Sequence, residues 1–331
     1  MTTRKKIFVL YTGGTIGMRQ TPQGLSPDTA LAEKALIPFA DNYSFDWHIC
    51  NPLIDSSAVT LSDWHNWLEL LKEKARTYDG ILVLHGTDTL AYTANLFTLT
   101  LPDLKLPIVI TGSQWPYNAQ HSDAPLNLAT AVAAFELNLS ETVIAFNGKL
   151  FQAVGSSKIS TEQADGFDNP HFGTIAIWSP ECGWRHVNKR PSEKTSAALH
   201  TPFPVLDTQA KVVCHTLVPG FSAQSFSDGL YRNADAVILQ SYGHGNAPSD
   251  RDFIQAVNDL TSRGKLVLNI SQAKQGNAAA VYAQGSALRQ AGVVNGGKAN
   301  LETALVLLTL AVSNGLDNKQ LQQKLETLNL L

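Results

Sequence analysis

Formal charge is scarce in this chain. Of its 331 residues only 16% are Asp, Glu, Lys or Arg, against roughly a quarter in an average globular protein. With 44% apolar residues, the shortage excludes a disordered chain, which needs high charge and low hydrophobicity. The 25 basic and 28 acidic side chains leave a net charge of -3, which excludes a polycationic nucleic-acid surface. Cysteine is rare too: Cys50, Cys182 and Cys214 are odd in number and form no CxxC pair. Neither a disulfide framework nor a cysteine zinc site is expected, and a reducing compartment is. No apolar run reaches 18 residues, so no membrane-spanning helix is expected. The basic start Arg4-Lys5-Lys6 leads into an apolar run, Ile7 to Tyr11, that ends after five residues. That is too short for an export signal, and a cytoplasmic location is the expectation. A surface this poor in charge is also expected to be partly buried in an oligomer.

What is present is strand-helix alternation. Short apolar, β-branched runs occur at 7-11, 81-85, 108-112, 142-146 and 174-178, and again at 212-217, 236-240 and 266-270. Runs apolar at consecutive positions suit strands buried on both faces. Helical patterns lie between them at 62-77, with Trp64, Trp67, Leu68 and Leu71 on one face, and at 89-99, 124-137, 249-262 and 300-312. The alternation predicts an α/β protein with parallel sheets covered on both sides. Its length suggests two domains. The pattern breaks near 179-206, a stretch with four prolines and mixed charge. We therefore expect a larger domain at 1-185, a linker at 186-206 and a smaller domain at 207-331.

Ligands in open α/β sheets bind beyond the carboxyl ends of the strands. Three such turns carry glycine followed by a hydroxyl: Thr12-Gly13-Gly14-Thr15, His85-Gly86-Thr87-Asp88-Thr89 and Thr111-Gly112-Ser113-Gln114. A phosphate site is not expected, because no GxxxxGK[ST] exists and residues 13-17 have the wrong spacing for GxGxxG. Gly243-His244-Gly245 has Pro248 where a third glycine belongs. Hydrolase motifs GxSxG and HExxH are missing as well. What remains is hydroxyl chemistry on Thr15 or Thr87, which needs a proton acceptor. His85 reads as a hydrogen-bonded structural residue rather than a base. Asp88 or a neighbouring threonine either caps the following helix or, with the helix N-H groups, faces a ligand. Lys158, in Gly155-Ser156-Ser157-Lys158, is a surface charge unless it pairs with the HGTDT turn.

Taken together, FVLYTGGTIG (8-17) and DGILVLHGTDT (79-89) resemble the two signatures of bacterial-type L-asparaginases. PLIDSS (52-57), TGSQ (111-114), SKIS (157-160), ADGFDNP (164-170) and SYGHGNAP (241-248) are similar to the cytoplasmic, type I branch. The resemblance implies a larger domain of mostly parallel sheet and a smaller, flavodoxin-like one. It implies hydrolysis of L-asparagine to L-aspartate and ammonia, with no metal or cofactor. Thr15 is then the nucleophile, and Thr87, Asp88 and Lys158 form a second triad. Gly14, Asp55, Ser56, Ser57, Thr87, Asp88 and Ser113 surround the substrate. Asn246 reaches the site from a neighbouring subunit, so the active unit is a homodimer or homotetramer.

Two features depart from the pattern. Many members carry an activating tyrosine about ten residues after the nucleophile, where this chain has Leu25; Tyr282 in AAAVYAQG fits an alternative placement. A regulatory asparagine site known in some type I enzymes uses an arginine and a cysteine, where Gln240 and Ala273 stand here, so allosteric control is not expected. A related amidotransferase subunit carries a further domain before its TGGTI turn. Here the turn starts at residue 12, which favours the hydrolase. A silent amino-acid-binding protein is the third reading, with the four residues Thr15, Thr87, Asp88 and Lys158 against it.

Overall fold

The structure is a computed structural model that describes residues 4-22, 24-185, 201-220, 223, 231-248, 250-279 and 283-331. The chain divides into two compact units, Met1–Ser192 and Glu193–Leu331. Most of the expected linker, 186-200, lies outside the described residues.

The larger unit holds strands β1 (Lys5–Tyr11), β2 (Met18–Thr21), β3 (Gly24–Pro27), β4 (Tyr43–Ile49), β5 (Gly80–Leu84), β6 (Ile108–Thr111) and β7 (Thr142–Phe146). They are followed by β8 (Lys149–Gln152), β9 (Ser157–Lys158), β10 (Phe167–Asp168), β11 (Ala176–Ser179) and β12 (Gly183–Arg185). Eight of them form one sheet in the order β12-β11-β8-β7-β6-β5-β1-β4. β4, β1, β5, β6 and β7 are parallel, and β8, β11 and β12 add an antiparallel edge. Ile7, Val9, Tyr11, Leu82, Leu84, Val109 and Val143 pack against helices Thr29–Leu36 and Ala124–Ala133. Residues of the opposite parity, among them Leu10, Ile81, Val83 and Ile110, are buried as well. That double burial is why these strands read as unbroken apolar runs. The helix Leu61–Lys74 buries Trp64, Trp67, Leu68 and Leu71, as the spacing predicts, and starts at a capping box of Thr60 with Asp63.

In chain order β4 follows β1 yet lies outside it, and the later parallel strands run the other way. The strand order therefore reverses between β1 and β5, which opens a crevice at their carboxyl ends. The TGGT and HGTDT turns leave the sheet at that point.

The smaller unit holds β13 (Val212–Thr216), β14 (Ala236–Ser241), β15 (Leu266–Ser271) and β16 (Val294–Asn295), all parallel. Val237, Leu239 and Val267 pack on Phe253, Val257 and Leu260 of the helix Arg251–Thr261. The helix Leu301–Ser313 packs on β13, β14 and β15 and is apolar nearly all round. The four strands lie in sequential order. The order reversal of a flavodoxin-like sheet, expected here, occurs instead in the larger unit. Among the described residues no helix is long and apolar enough to cross a membrane.

Candidate active site

The crevice is built by backbone-to-backbone packing. Gly13 and Gly14 follow β1 at φ 138° and 96°, a region that side chains with a Cβ rarely adopt. A Cβ on Gly14 would stand 2.6 Å from Gly86 Cα, and one on Gly86 would stand 2.5 Å from Ser56 Oγ. A Cβ on Gly112 would run into the His85 carbonyl. Four turns thus touch through atoms that only glycine leaves room for. Thr12 ties the first to β5 by donating its N-H and its hydroxyl to Leu84 O, at 3.0 and 3.2 Å.

Thr15 opens a 3-10 turn, Thr15–Gly17, and is half-buried. Beneath the turn lies Tyr11, whose hydroxyl crowds Gly17 and has no hydrogen-bond partner among the described residues. Burial, with the Asp28 charge adding to it, pushes this phenol up to about 12. Leu25 lies in β3 opposite Gln20, and Tyr282 lies outside the described residues.

The HGTDT turn divides its side chains between two environments. His85 is buried, and an unbroken run of donors reaches it. Trp64 Nε1 donates to Thr93 Oγ1 at 3.0 Å, Thr93 lies 3.0 Å from His85 Nε2, and His85 Nδ1 lies 2.8 Å from Gly86 O. A neutral ring with its proton on Nδ1 satisfies every partner. Burial holds the imidazole down at about 4, so His85 is the structural residue expected. Thr87 and Asp88 face the other way. Lys158 Nζ donates to Thr87 Oγ1 at 2.8 Å and to Asp88 Oδ1 at 2.7 Å. Lys158 is mostly buried and Asp88 mostly exposed, so Lys158 is not a free surface charge. Neither carboxylate nor hydroxyl is spent on capping the helix Leu90–Thr100. Its N-cap Thr89 instead donates to Ser56 O at 2.7 Å.

Asp55, at the head of the 3-10 turn Ser56–Ala58, accepts from Ser57 N and Ser57 Oγ, both at 2.9 Å. These two bonds, the backbone one first, hold its carboxyl below the ordinary value. Ser56 is buried against Gly86, while Asp55 and Ser57 are exposed. Ser113 is buried and donates to Trp115 O at 2.6 Å. Asn246 belongs to the smaller unit, in a tight turn where Tyr242 and Asn246 exchange backbone bonds of 2.8 and 2.9 Å. Its Oδ1 is buried with no partner among the described residues. Gln240 accepts from Thr216 Oγ1 at 2.8 Å, and Ala273 donates its N-H to Ser271 Oγ at 3.0 Å.

Sequence reasoning missed Asp123 and Asn169. Asp123 is buried and accepts from Gln114 N and Trp115 N at 3.0-3.1 Å and from Asn127 Nδ2 at 2.9 Å. Burial raises its carboxyl, and these N-H donors pull it back. Asn169 is buried and donates to Val154 O at 2.9 Å and Ser156 Oγ at 3.0 Å, which fixes the turn before Lys158. The signals were faint. Asp123 precedes Ala124-Pro125 and reads as a helix cap, and Asn169 sits in ADGFDNP without a partner visible in sequence.

The chain is similar to known proteins over nearly its whole length. The family "Asparaginase, N-terminal" matches residues 6-191, and the "Glutaminase/Asparaginase C-terminal domain" matches 211-325. L-asparaginase 1 of Escherichia coli (strain K12) is 33% identical over 97% of this chain and 95% of its own. The thermostable L-asparaginase of Thermococcus kodakarensis superposes with a TM-score of 0.84 at 28% identity, covering 97% of both chains. L-asparaginase I of Vibrio cholerae superposes at 0.82 with 28% identity, covering 98% of this chain and 97% of that one. With both domains matched in order and nearly the whole chain accounted for, the protein belongs to the asparaginase family.

Proposed function

We propose that the protein hydrolyses L-asparagine to L-aspartate and ammonia through an acyl-enzyme on Thr15. The observation that carries this reading is Lys158, whose ammonium is shared by Thr87 and Asp88 from a distance of about 70 residues in sequence. Asparagine is a zwitterion, so its site needs an anion for the ammonium and donors for the carboxylate. Asp55 and Asp88 supply the anion. Lys158 occupies Asp88 Oδ1, which leaves Oδ2 for the substrate. Ser56, Thr87 and the backbone N-H groups at Gly14 and the HGTDT turn supply donors, while Ser57 spends both of its own on Asp55 and holds that carboxylate in place. Thr87 accepts from Lys158, so its own hydroxyl hydrogen is left to donate to the substrate. Ser113 lies against the side-chain amide.

In the first step Thr15 Oγ bonds to the side-chain carbonyl carbon, and its proton passes to the amide nitrogen. The C-N bond breaks and ammonia leaves. Water then adds to the ester, the Thr15 C-O bond breaks, and the hydroxyl recovers a proton as aspartate departs. Backbone N-H groups stabilise the oxyanion in both steps, at about 3-4 kcal/mol per donor. Tyr282 is the group that activates Thr15, in place of the tyrosine missing at Leu25. Asn246 completes the site of a neighbouring copy, in a homodimer or homotetramer within the cytoplasm. The chain is organised as domains 1-185 and 207-331 about a linker.

Ammonia release from L-asparagine by the purified protein alone tests the activity. Binding without release would sink it and favour a silent binder. Tyr282→Phe tests the activating role; turnover within twofold of the parent would move that role elsewhere.

A further inference from the structure

The motif TGSQ contains a residue with no part in the chemistry above, Gln114, and the structure joins it to the loop that runs from SKIS into ADGFDNP. Gln114 Nε2 donates to Ser160 O at 2.8 Å and to Gln163 O at 3.2 Å. Both carbonyls belong to the loop 159-166, which begins directly after Lys158. That loop is closed at its base, where Ile159 N donates to Gly166 O at 2.8 Å and Lys158 pairs with Phe167 across β9 and β10. Ser160 Oγ accepts from Glu162 N and Gln163 N at 3.2 and 2.9 Å, which turns the loop carbonyls inward. Gly166 makes room for the amide, since a Cβ there would stand 2.8 Å from Gln114 Nε2.

The anchor is held from behind. The buried Asp123 carboxylate takes the backbone N-H groups of Gln114 and Trp115. Asn127 bridges Asp123 to Gly112 O, with bonds of 2.9 Å to each. Tyr117, further along the same turn, donates its N-H to Ile16 O at 3.2 Å. One turn thus touches the 3-10 turn that presents Thr15 and the loop that follows Lys158. Other support for the loop is weaker: Lys149 and Asp165 form a half-exposed ion pair, and such pairs contribute little.

From this arrangement we infer that Gln114 is a positioning residue for Lys158, pinning the loop 159-166 so that the ammonium meets Thr87 and Asp88 together. The inference rests on the hydrolytic reading of the site. It predicts a signature that a general loss of stability does not give. Asp55 and Ser56 are fixed by the turn at 55-58, which has its own hydrogen bonds, so substrate binding, to which Thr87 and Asp88 contribute only in part, falls less than turnover.

The test uses Gln114→Met, which keeps the length and loses the amide, and Gln114→Glu, which turns acceptor oxygens toward two carbonyls. Steady-state ammonia release should show kcat reduced about tenfold or more in both, with KM within threefold of the parent. If kcat stays within threefold, or KM carries the larger share of the loss, the inference fails. Hydrogen exchange of the segment 159-166 gives a second readout that does not depend on activity. Exchange there should quicken in both variants, relative to β5 and β6, and unchanged exchange would also overturn the proposal. A parent that releases no ammonia would sink the hydrolytic reading, and the exchange result would still decide whether Gln114 pins the loop. If Gln114→Glu does not fold, Gln114→Met alone decides the outcome by the same measures.

Discussion

The carboxyl edges of the two sheets have the same kind of residues to work with and use them differently. At the edge of the larger sheet the turns after β1, β5 and β6 pack glycine against backbone and leave Thr15, Thr87, Asp88 and Lys158 around a crevice. At the edge of the smaller sheet the polar groups bond to one another. Ser241 Oγ donates to Asn269 Oδ1 at 2.6 Å, Asn269 Nδ2 donates to Gly245 O at 3.0 Å, and Ser271 Oγ donates to Gly243 O at 2.6 Å. No formal charge takes part in that second set. Topology accounts for the contrast. Where strand order reverses, neighbouring loops leave toward opposite faces and a gap opens. In a sequential parallel sheet every crossover has the same hand, the loops lie side by side, and amides and hydroxyls stitch them together.

The sharpest way to break the comparison is at Thr15. Thr15→Val should lower kcat on the order of 10³-fold or more while asparagine still binds. Ammonia release and calorimetric binding measure both, and undiminished turnover would move the chemistry away from the larger sheet. His85 comes next, because it separates scaffold from site within one turn. Its folded value is about 4, against about 6.5 when unfolded, so below that pH the unfolded chain binds the extra proton. Stability from this group is complete above pH 6.5 and is lost as pH falls toward 4, by about 3 kcal/mol in all. Urea unfolding at a series of pH values should show His85→Gln with a flatter acid slope than the parent. Equal slopes would refute the buried neutral ring.

Asn246→Ala probes the smaller sheet's contribution. A roughly tenfold rise in KM is expected, the size of one lost hydrogen bond to a charged substrate, with the mass by light scattering equal to that of the parent. A KM within twofold would confine the site to the larger unit. The smallest effect belongs to Tyr11→Phe. Removing a buried hydroxyl with no partner among the described residues should stabilise by less than about 1 kcal/mol, read as a small rise in the denaturation midpoint. Clear destabilisation would mean that the hydroxyl has a partner after all.

Much of this was legible in the sequence where burial is two-sided. Each of the eight apolar runs contains or overlaps a strand, because consecutive Val, Ile and Leu residues have no polar face to break the run. β4 was not legible. As the edge strand next to β1 it alternates Ser44, Asp46 and His48 with its apolar residues and so shows no run. The helix Asn318–Thr327 was missed for a similar reason, since only Leu321 and Leu325 are buried among polar neighbours. For the site, the glycine turns are legible in sequence, and the structure packs them together at the carboxyl edge of the sheet. The pairing of Lys158 with Thr87 and Asp88 came only through the family resemblance, because the partners stand about 70 residues apart in sequence and no local pattern links them. The resemblance put the reversal of strand order in the smaller domain, and the residues alone could not correct it, since every crossover of similar length looks alike in one dimension.

The contact of Gly14 with Gly86, and of Gly86 with Ser56, has a consequence for how this protein can change. A crowded side chain can be relieved by trimming its neighbour, but here the neighbours of each glycine are main-chain atoms or a residue that is already small. At Gly14, where only main-chain atoms crowd the space, no substitution elsewhere can restore the lost room, whereas Ser56→Gly would clear the side-chain atoms that crowd Gly86. A saturation library at Gly14 should therefore yield no second-site revertants, so the turns after β1 and β5 will be inherited as one block or not at all.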